Sequence, residues 1–301
     1  MFWTRLGSGV ILLAAIVVFF AAGGLPLAIL LAVVSCIGYI ELSKVLSHAD
    51  ESAQMTEKWK PNAPDIAAMA AILIYYGASF ALYRPFGTGS GQMPRMTYAL
   101  AVFALFVLTE LGIYVCTFPK FSLEKIVYTI FSFFYAPFML SFVYFARSFG
   151  DMGKYLVWLV LISSWGCDTC AYCVGILMGK HKIFPVLSPK KTLEGCLGGA
   201  LGAALIGWIY GWFYVEPHLV KAGVNAGEGL PFALSLALAL ICLAGAVFGM
   251  IGDLAASAIK RHRKVKDYGT LIPGHGGIMD RFDSMMMTAP AAFLLAYFLM
   301  R

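Results

Sequence analysis

The segment PGHGGIMDRFD, residues 273–283, places glycines and charged residues between two apolar stretches. Asp280 and Asp283 are three positions apart, so on a helix they share one face and can converge on one ion. Gly276 and Gly277 allow backbone N–H groups to approach a phosphate closely. Mg²⁺ binds one or two carboxylates together with substrate phosphates. The spacing therefore predicts a site for a metal ion and a phosphate.

Three further polar features accompany this segment. Asp168 lies inside the apolar stretch SSWGCDTCAY, where a charge costs roughly 2.5–3.5 kcal/mol on insertion scales and needs a partner or a wet cavity. Asp253 lies at the end of another apolar stretch. The segment 179–195 contains four lysines, and a helix is predicted to begin at Ser188 with Pro189 in its first position. Lysines beside a helix N-terminus favour phosphate binding.

Carboxylates and cations in one region suit metal-assisted phosphoryl or nucleotidyl transfer, since Lys and Arg neutralise phosphate oxygens beside the metal. A role without catalysis also explains some of these residues. Lysines after a membrane span can simply contact anionic headgroups, and Asp280 and Asp283 can simply stabilise a helix N-terminus. Residue types alone identify neither a nucleotide nor an acceptor.

The elements that must position these groups are membrane helices. The chain has 301 residues, of which 60% are hydrophobic and 13% charged, with a mean hydropathy of +0.81. About 20 apolar residues cross a bilayer as a helix. The predicted fold is all-α and polytopic, with about nine transmembrane helices: 8–24, 25–41, 65–83, 98–116, 126–146, 154–174, 195–214, 230–252 and 284–300.

The distribution of positive charge predicts the topology. Most of the 22 Lys and Arg residues fall on one side if the N-terminus is cytoplasmic. This places the loops 175–194 and 253–283 in the cytoplasm and the C-terminus outside. Residues 1–150 form an N-terminal region of about five spans, and residues 151–301 a C-terminal catalytic region of about four. Small residues at steps of four, from Gly195 to Gly211, predict close helix packing there.

Two other features are weaker candidates. Glu110, inside the fourth span, is an intramembrane carboxylate and so a functional candidate, although a polar contact between helices is the favoured interpretation. Cys167, Cys170 and Cys173 have the spacing of a cluster ligand set. On a helix these three positions drift around the cylinder, and no fourth ligand accompanies them, so no metal cluster is predicted.

The run from Ser257 to Asp283 resembles the signature of the CDP-diacylglycerol synthases, also called phosphatidate cytidylyltransferases. The segments DTCAY and SPKKTLEG resemble that family as well, and the close resemblance covers about residues 165–284. Cys167 and Cys170 depart from the pattern, which has Asn and often Gly there. The signature positions are filled by Ser257, Lys260, Arg261, Lys266, Asp267, Gly269, Pro273, His275, Gly276, Gly277, Asp280, Arg281 and Asp283.

The resemblance implies that CTP and phosphatidate react to give CDP-diacylglycerol and pyrophosphate, with Mg²⁺ as cofactor and room for a second metal or a monovalent cation. Asp253 and Asp280 are expected to hold the metal, with Asp283 and Asp168 completing its shell. The expected catalytic residues are Lys260, Arg261, Lys266, Asp267, His275, Arg281 and Asp283. Phosphate-binding residues are expected at Ser188, Lys190, Lys191, Ser257, Gly276 and Gly277.

The resemblance also implies the surroundings of the enzyme. CTP would enter from the cytoplasm, the acyl chains of phosphatidate would stay in the bilayer, and the protein would be a plasma-membrane homodimer with no nucleic-acid partner. One alternative is a CTP-dependent polyprenol or lipid kinase, which would release CDP instead of pyrophosphate. Another is a transporter of anionic lipid or phosphate with Asp168 as its ion site. A transporter is expected to repeat the polar loop, and residues 1–150 contain no second copy.

Overall fold

The structure is a computed structural model that describes residues 2–47, 60–81, 94–221, 230–272, 274 and 276–300. Within these ranges the chain is helical, and its only extended pairings are two isolated β-bridges, Lys182–Thr192 and Ile272–Gly276. The all-α prediction is confirmed.

Twelve α-helices make up the described chain. In order they are α1 (Phe2–Ala22), α2 (Gly24–Ser47), α3 (Ala63–Ala81), α4 (Pro94–Thr117), α5 (Leu123–Phe133), α6 (Met139–Arg147), α7 (Gly153–Leu161), α8 (Cys167–Met178), α9 (Leu193–Tyr210), α10 (Glu216–Lys221), α11 (Leu230–His262) and α12 (Met279–Leu299). Three π-helical turns, Phe134–Phe138, Ile162–Gly166 and Gly211–Val215, continue α5 into α6, α7 into α8 and α9 into α10. Each joined pair is therefore one long helix.

The described helices match the predicted number of spans. Eight helical stretches are long and apolar enough to cross a membrane, and a shorter apolar helix, Gly7–Ala22, precedes them. Together they account for the nine predicted spans, and the chain is a multi-pass membrane protein.

The chain forms two compact units. The first comprises residues 1–144, 148–151 and 259–282, and the second comprises 145–147, 152–258 and 283–301. The larger part of the signature segment therefore belongs to the same compact unit as the N-terminal helices.

The first unit has an aromatic core that includes a polar cluster. The ring of Phe133 stacks on Phe106 with centroids 4.3 Å apart. Asp65, at the start of α3, accepts a hydrogen bond from Tyr39 and forms an ion pair of 2.9 Å with Lys125. Glu110 is fully buried, and its oxygens have no hydrogen-bond partner among the described residues. The helix–helix polar contact favoured for it is not found there.

The second unit depends on close packing between α8 and α9. A Cβ added at Gly199 would lie 2.8 Å from the Cβ of Ala171 and 2.9 Å from the carbonyl oxygen of Cys167. At Gly207 it would lie 2.9 Å from the Cβ of Cys242. Small side chains let helix backbones approach closely in lipid, so the predicted packing role of these residues is confirmed.

Candidate active site

The signature segment begins where α11 ends. After His262 the chain reverses through Lys264, which has a φ of 55°, and the N–H of Val265 donates to the carbonyl of Lys260. Arg263 donates to the hydroxyl of Tyr128 in α5 at 2.6 Å, with its guanidinium over the ring. These contacts hold the C-terminal end of α11 in place and thereby set the direction in which the following loop leaves the helix.

The loop closes on itself before α12 begins. The N–H of Ile272 donates to the carbonyl of Gly276 at 2.9 Å. Gly276 has a φ of 83°, a left-handed backbone conformation that residues other than glycine rarely adopt. The role predicted from the sequence for Gly276 and Gly277 is close approach of the backbone to a phosphate. At Gly276 the backbone conformation is a second reason for glycine.

Asp280 connects three parts of the signature segment. One carboxylate oxygen accepts a hydrogen bond of 2.8 Å from the Lys260 ammonium, and the other accepts from the N–H groups of Tyr268 and Gly277 at 2.8 and 3.0 Å. The side chains of Lys260 and Asp280 are only 13% and 4% exposed. Charge-assisted bonds of this kind are stronger than neutral ones, so Asp280 holds the end of α11, the loop and the start of α12 together.

Glu41 in α2 is a site residue that the sequence pattern did not predict. Its two carboxylate oxygens accept hydrogen bonds from the N–H groups of Ile278 and Met279 at 3.1 and 2.8 Å. These are N–H groups at the start of α12 that the helix itself cannot satisfy. Glu41 is an acidic residue in an apolar segment, the same feature that singled out Asp168 and Glu110. That feature could have identified it.

A polar cavity of about 380 Å³ lies in the first unit. Four predicted site residues, Lys266, Asp267, Gly276 and Arg281, line it. The rest of its lining is Gly269, Thr270, Ile272 and Gly274. Two cations and a lining that includes three glycines suit an anionic group that needs both charge and backbone contact.

Several predicted site residues of the signature do not line this cavity. The Gly277 N–H donates to Asp280, and Gly277 does not line this cavity. Arg261 is exposed at the end of α11, and Ser257 is partly buried within that helix. His275, predicted to be a catalytic residue, lies outside the described residues.

A second cavity, of about 520 Å³, lies in the second unit. It combines Asp168, Lys182, Lys190 and Lys191 with apolar and aromatic side chains. Its remaining lining is Ala171, Tyr172, Gly175, Ile176, Pro189, Thr192, Gly195, Cys196 and Met250. The Lys191 ammonium lies 2.5 Å from a carboxylate oxygen of Asp253. The structure thus brings together Asp168 and two of the predicted lysines, and it pairs one of those lysines with Asp253.

The helix predicted to begin at Ser188 and Pro189 begins instead at Leu193, so that prediction is wrong. Thr192 is the N-cap, and its hydroxyl accepts from the N–H of Gly195. The N–H of Lys191 donates to the carbonyl of Ser188, which closes a turn before the helix. The bridge between Lys182 and Thr192 favours this turn over a helix. Lys190 and Lys191 consequently precede the helix, and Ser188 does not line the cavity.

The carboxylates are compatible with a magnesium ion, although they form no large cluster. Among the described residues, no group of three or more His, Cys, Asp or Glu could hold a metal. Mg²⁺ commonly takes only one or two carboxylates and completes its shell with phosphate and water. The second unit offers such ligands, because the carboxylate of Asp168 lines its cavity and that of Asp253 pairs with Lys191. These oxygens can bind the metal, while the neighbouring lysines can bind the phosphate.

The predicted metal ligands are distributed over both units. Asp168, Asp253 and Asp283 belong to the second unit, and Asp280 belongs to the first. Asp283 is 8% exposed and accepts a hydrogen bond from the N–H of Ser284. Their grouping around one ion stays a prediction from the sequence.

The fold and the two cavities define a class: a multi-pass helical membrane protein with lysine- and aspartate-containing sites suited to phosphate. The family follows from comparison with known sequences. The model of the cytidylyltransferase family matches residues 3–299. The chain belongs to this family, and the resemblance identified between Ser257 and Asp283 is confirmed.

Several relatives are named phosphatidate cytidylyltransferase. The protein of Staphylococcus haemolyticus (strain JCSC1435) is 38% identical over 157 residues, covering 52% of this chain and 54% of the relative. That of Staphylococcus aureus (strain COL) is 39% identical over 176 residues, covering 58% and 61%. The Staphylococcus saprophyticus protein is 36% identical over the same length. The chain thus spans little more than half the length of the relatives it matches.

Proposed function

We propose that this protein is a phosphatidate cytidylyltransferase, which converts CTP and phosphatidate into CDP-diacylglycerol and pyrophosphate. The observation that supports this most strongly is the folded signature segment. Its buried Lys260–Asp280 pair organises a loop whose cavity contains Lys266, Asp267 and Arg281, in a chain of the cytidylyltransferase family. The names of the staphylococcal relatives agree with the proposal.

The reaction needs neutralisation of charge more than it needs a base. A phosphate oxygen of phosphatidate attacks the α-phosphorus of CTP, and the bond from that phosphorus to the oxygen bridging the β-phosphate breaks. The electron pair leaves with pyrophosphate. The second pKa of a phosphate monoester is about 6, so at pH 7 the lipid phosphate is mostly a ready nucleophile. The barrier is repulsion between two anions, which positive side chains can lower.

The cavity of the first unit suits the phosphates of CTP. Lys266 and Arg281 supply two positive charges there, and Gly274 and Gly276, which have no side chain, leave the backbone accessible. Lys266 is exposed, so it can reach a soluble nucleotide. This cavity is polar, as a triphosphate arriving from water requires.

The cavity of the second unit suits the lipid substrate. Lys190 and Lys191 can bind its phosphate, while Ile176 and Met250 offer apolar contact beside them. Tyr172, also in the lining, has a side chain that is 70% exposed. An aromatic side chain at such a position favours the boundary between headgroups and acyl chains.

Mg²⁺ would be held by carboxylates from the set of Asp168, Asp253, Asp280 and Asp283. When bound, it neutralises phosphate oxygens and polarises the reacting phosphorus. Lys191 is held beside Asp253 by their ion pair, so a cation and an anion of the site are positioned together before substrate arrives. A second metal or a monovalent cation remains part of the cofactor proposal.

The topology and the assembly also belong to the proposal. The protein would lie in the plasma membrane, with the N-terminus and the loops 175–194 and 253–283 in the cytoplasm and the C-terminus outside. The excess of positive charge on the predicted inner segments supports this orientation. The homodimer rests on the family resemblance.

The direct test is turnover by the purified full chain in detergent micelles containing phosphatidate, CTP and Mg²⁺. We expect a lipid product with the mass of CDP-diacylglycerol, formed in equal amount with pyrophosphate and abolished by a chelator. Release of CDP instead would identify a lipid kinase. Absence of any product, under conditions in which one of the staphylococcal relatives works, would refute the proposal.

A further inference from the structure

Glu41 is an unusual residue for its surroundings. It lies within α2, a helix that is long and apolar enough to cross a membrane, and it is only 8% exposed. A carboxylate in such a helix is expensive and needs compensation. Its compensation comes from the start of α12, where the N–H groups of Ile278 and Met279 donate to its two oxygens. The N-terminal helices therefore contact the signature segment directly, within the first unit.

The loop leaves space for this carboxylate by having glycines beside it. A Cβ added at Gly269 would lie 2.8 Å from Cδ of Glu41, and one added at Gly277 would lie 2.6 Å from it. Both distances are well inside van der Waals contact. Two glycines of the signature are thus explained by the side chain of Glu41, which the loop encloses.

Three N–H groups at or just before the start of α12 consequently have acceptors already. Glu41 accepts from Ile278 and Met279, and Asp280 accepts from Gly277. A phosphate bound in the cavity of this unit must then rely on Lys266, Arg281 and the loop backbone. The position of that backbone depends on the contacts that hold the loop in place.

We infer that Glu41 is a positioning residue, which holds Gly269, Gly277 and the start of α12 in the arrangement that binds the CTP phosphates. The inference rests on the proposed function. Glu41 acts through the loop and does not touch substrate. It therefore affects how well CTP is bound more than how well the lipid is bound, because the lipid cavity of the second unit has other lining residues.

Glu41→Gln is the informative substitution. The amide keeps one acceptor oxygen but replaces the other with a donor, so one of the two N–H groups loses its partner. We expect the KM for CTP to rise about tenfold, the change that corresponds to about 1.4 kcal/mol. The KM for phosphatidate, measured at saturating CTP, should stay within about twofold of the unsubstituted protein.

Glu110→Gln is the matched control. Glu110 is another buried carboxylate of the same unit, and its oxygens have no hydrogen-bond partner among the described residues. Its substitution removes an acidic group from a membrane helix without touching the loop. This variant should keep both KM values.

A double-mutant cycle tests the contact itself. Gly269→Ala should raise the KM for CTP because its Cβ would overlap Glu41. In the Glu41→Ala background the same substitution should add little, since the obstructing carboxylate is gone. Gly269→Ala also tests the contact if Glu41→Gln fails to fold, because it leaves the carboxylate of Glu41 in place.

The outcomes separate this inference from the proposed function. If neither the unsubstituted protein nor Glu110→Gln forms CDP-diacylglycerol, the proposed function fails. If both are active and Glu41→Gln has an unchanged KM for CTP, the positioning role is overturned. Equal increases in both KM values, or additive effects of Gly269→Ala and Glu41→Ala, would also overturn it.

Discussion

The substitution Asp280→Asn tests the organisation of the signature loop most severely. Asp280 accepts three hydrogen bonds, from the ammonium of Lys260 and from the N–H groups of Tyr268 and Gly277. Asparagine has one acceptor oxygen and cannot neutralise the lysine. Both N–H groups donate to the same carboxylate oxygen, so an amide oxygen in that position keeps them paired, but the amide nitrogen then faces Lys260 and leaves a nearly buried ammonium without its counter-ion.

The expected magnitude follows from burial. The side chains of Lys260 and Asp280 are 13% and 4% exposed, and removing one partner of a buried pair costs about 3–5 kcal/mol. We take the lower value, because Lys260 keeps some access to water and its ammonium lies over the ring of Tyr268 at 5.2 Å. About 3 kcal/mol corresponds to about a hundredfold in an equilibrium constant. If the loop alone absorbs this loss, the equilibrium constant for its ordering falls about a hundredfold, and the turnover falls by up to the same factor.

The assay compares the initial rate of CDP-diacylglycerol formation with thermal unfolding followed by tryptophan fluorescence. Asp151→Asn is the control. It removes the same charge from an exposed position in a short 3₁₀ turn. The double variant Lys260→Met with Asp280→Asn should recover part of the lost thermal stability, because the uncompensated charge is gone. It should not recover turnover. Near-normal turnover and an unchanged melting temperature for Asp280→Asn would refute this account of the loop.

Three further predictions concern other parts of the two units. Lys191→Met should raise the KM for phosphatidate at least tenfold with a smaller change for CTP, because Lys191 lines the second cavity; equal changes for both substrates would contradict the assignment. Gly276→Ala should lower the melting temperature and turnover, since a left-handed φ of 83° costs a side-chain residue about 1–2 kcal/mol, whereas Gly112→Ala, which meets nothing within 4 Å, should be neutral in the same measurements. Gly199→Leu should abolish the native melting transition, because the α8 backbone is in the way; a normal melting curve would show that the two helices separate freely.

The sequence was sufficient to predict the helical framework. Apolar runs of about 20 residues identify spans because the bilayer core has a nearly constant thickness, and the described helices agree with that number. The close approach of α9 to α8 also followed from sequence, since glycines at steps of four occupy one face of a helix. These features depend on periodicity within single segments.

The features that could not be predicted depend on contacts between distant segments. Glu41 is separated by 237 residues from the N–H of Ile278 that it binds, and no local pattern connects them. The helix start near Ser188 was misplaced because its sequence favours a helix locally, while the bridge of Lys182 with Thr192 imposes a turn. The sequence predicts a catalytic role for Lys260 and a metal-binding role for Asp280, and their pairing appears only in the folded loop.

Transfer of a cytidylyl group to phosphatidate can be followed by the position of a radioactive label in CTP. The protein in phosphatidate micelles is supplied either with CTP labelled at the α-phosphate or with CTP labelled at the γ-phosphate. For cytidylyl transfer, we expect that the α-label enters the lipid fraction and that the γ-label appears only in pyrophosphate. Transfer of the γ-label to lipid, with the α-label left in CDP, would contradict it.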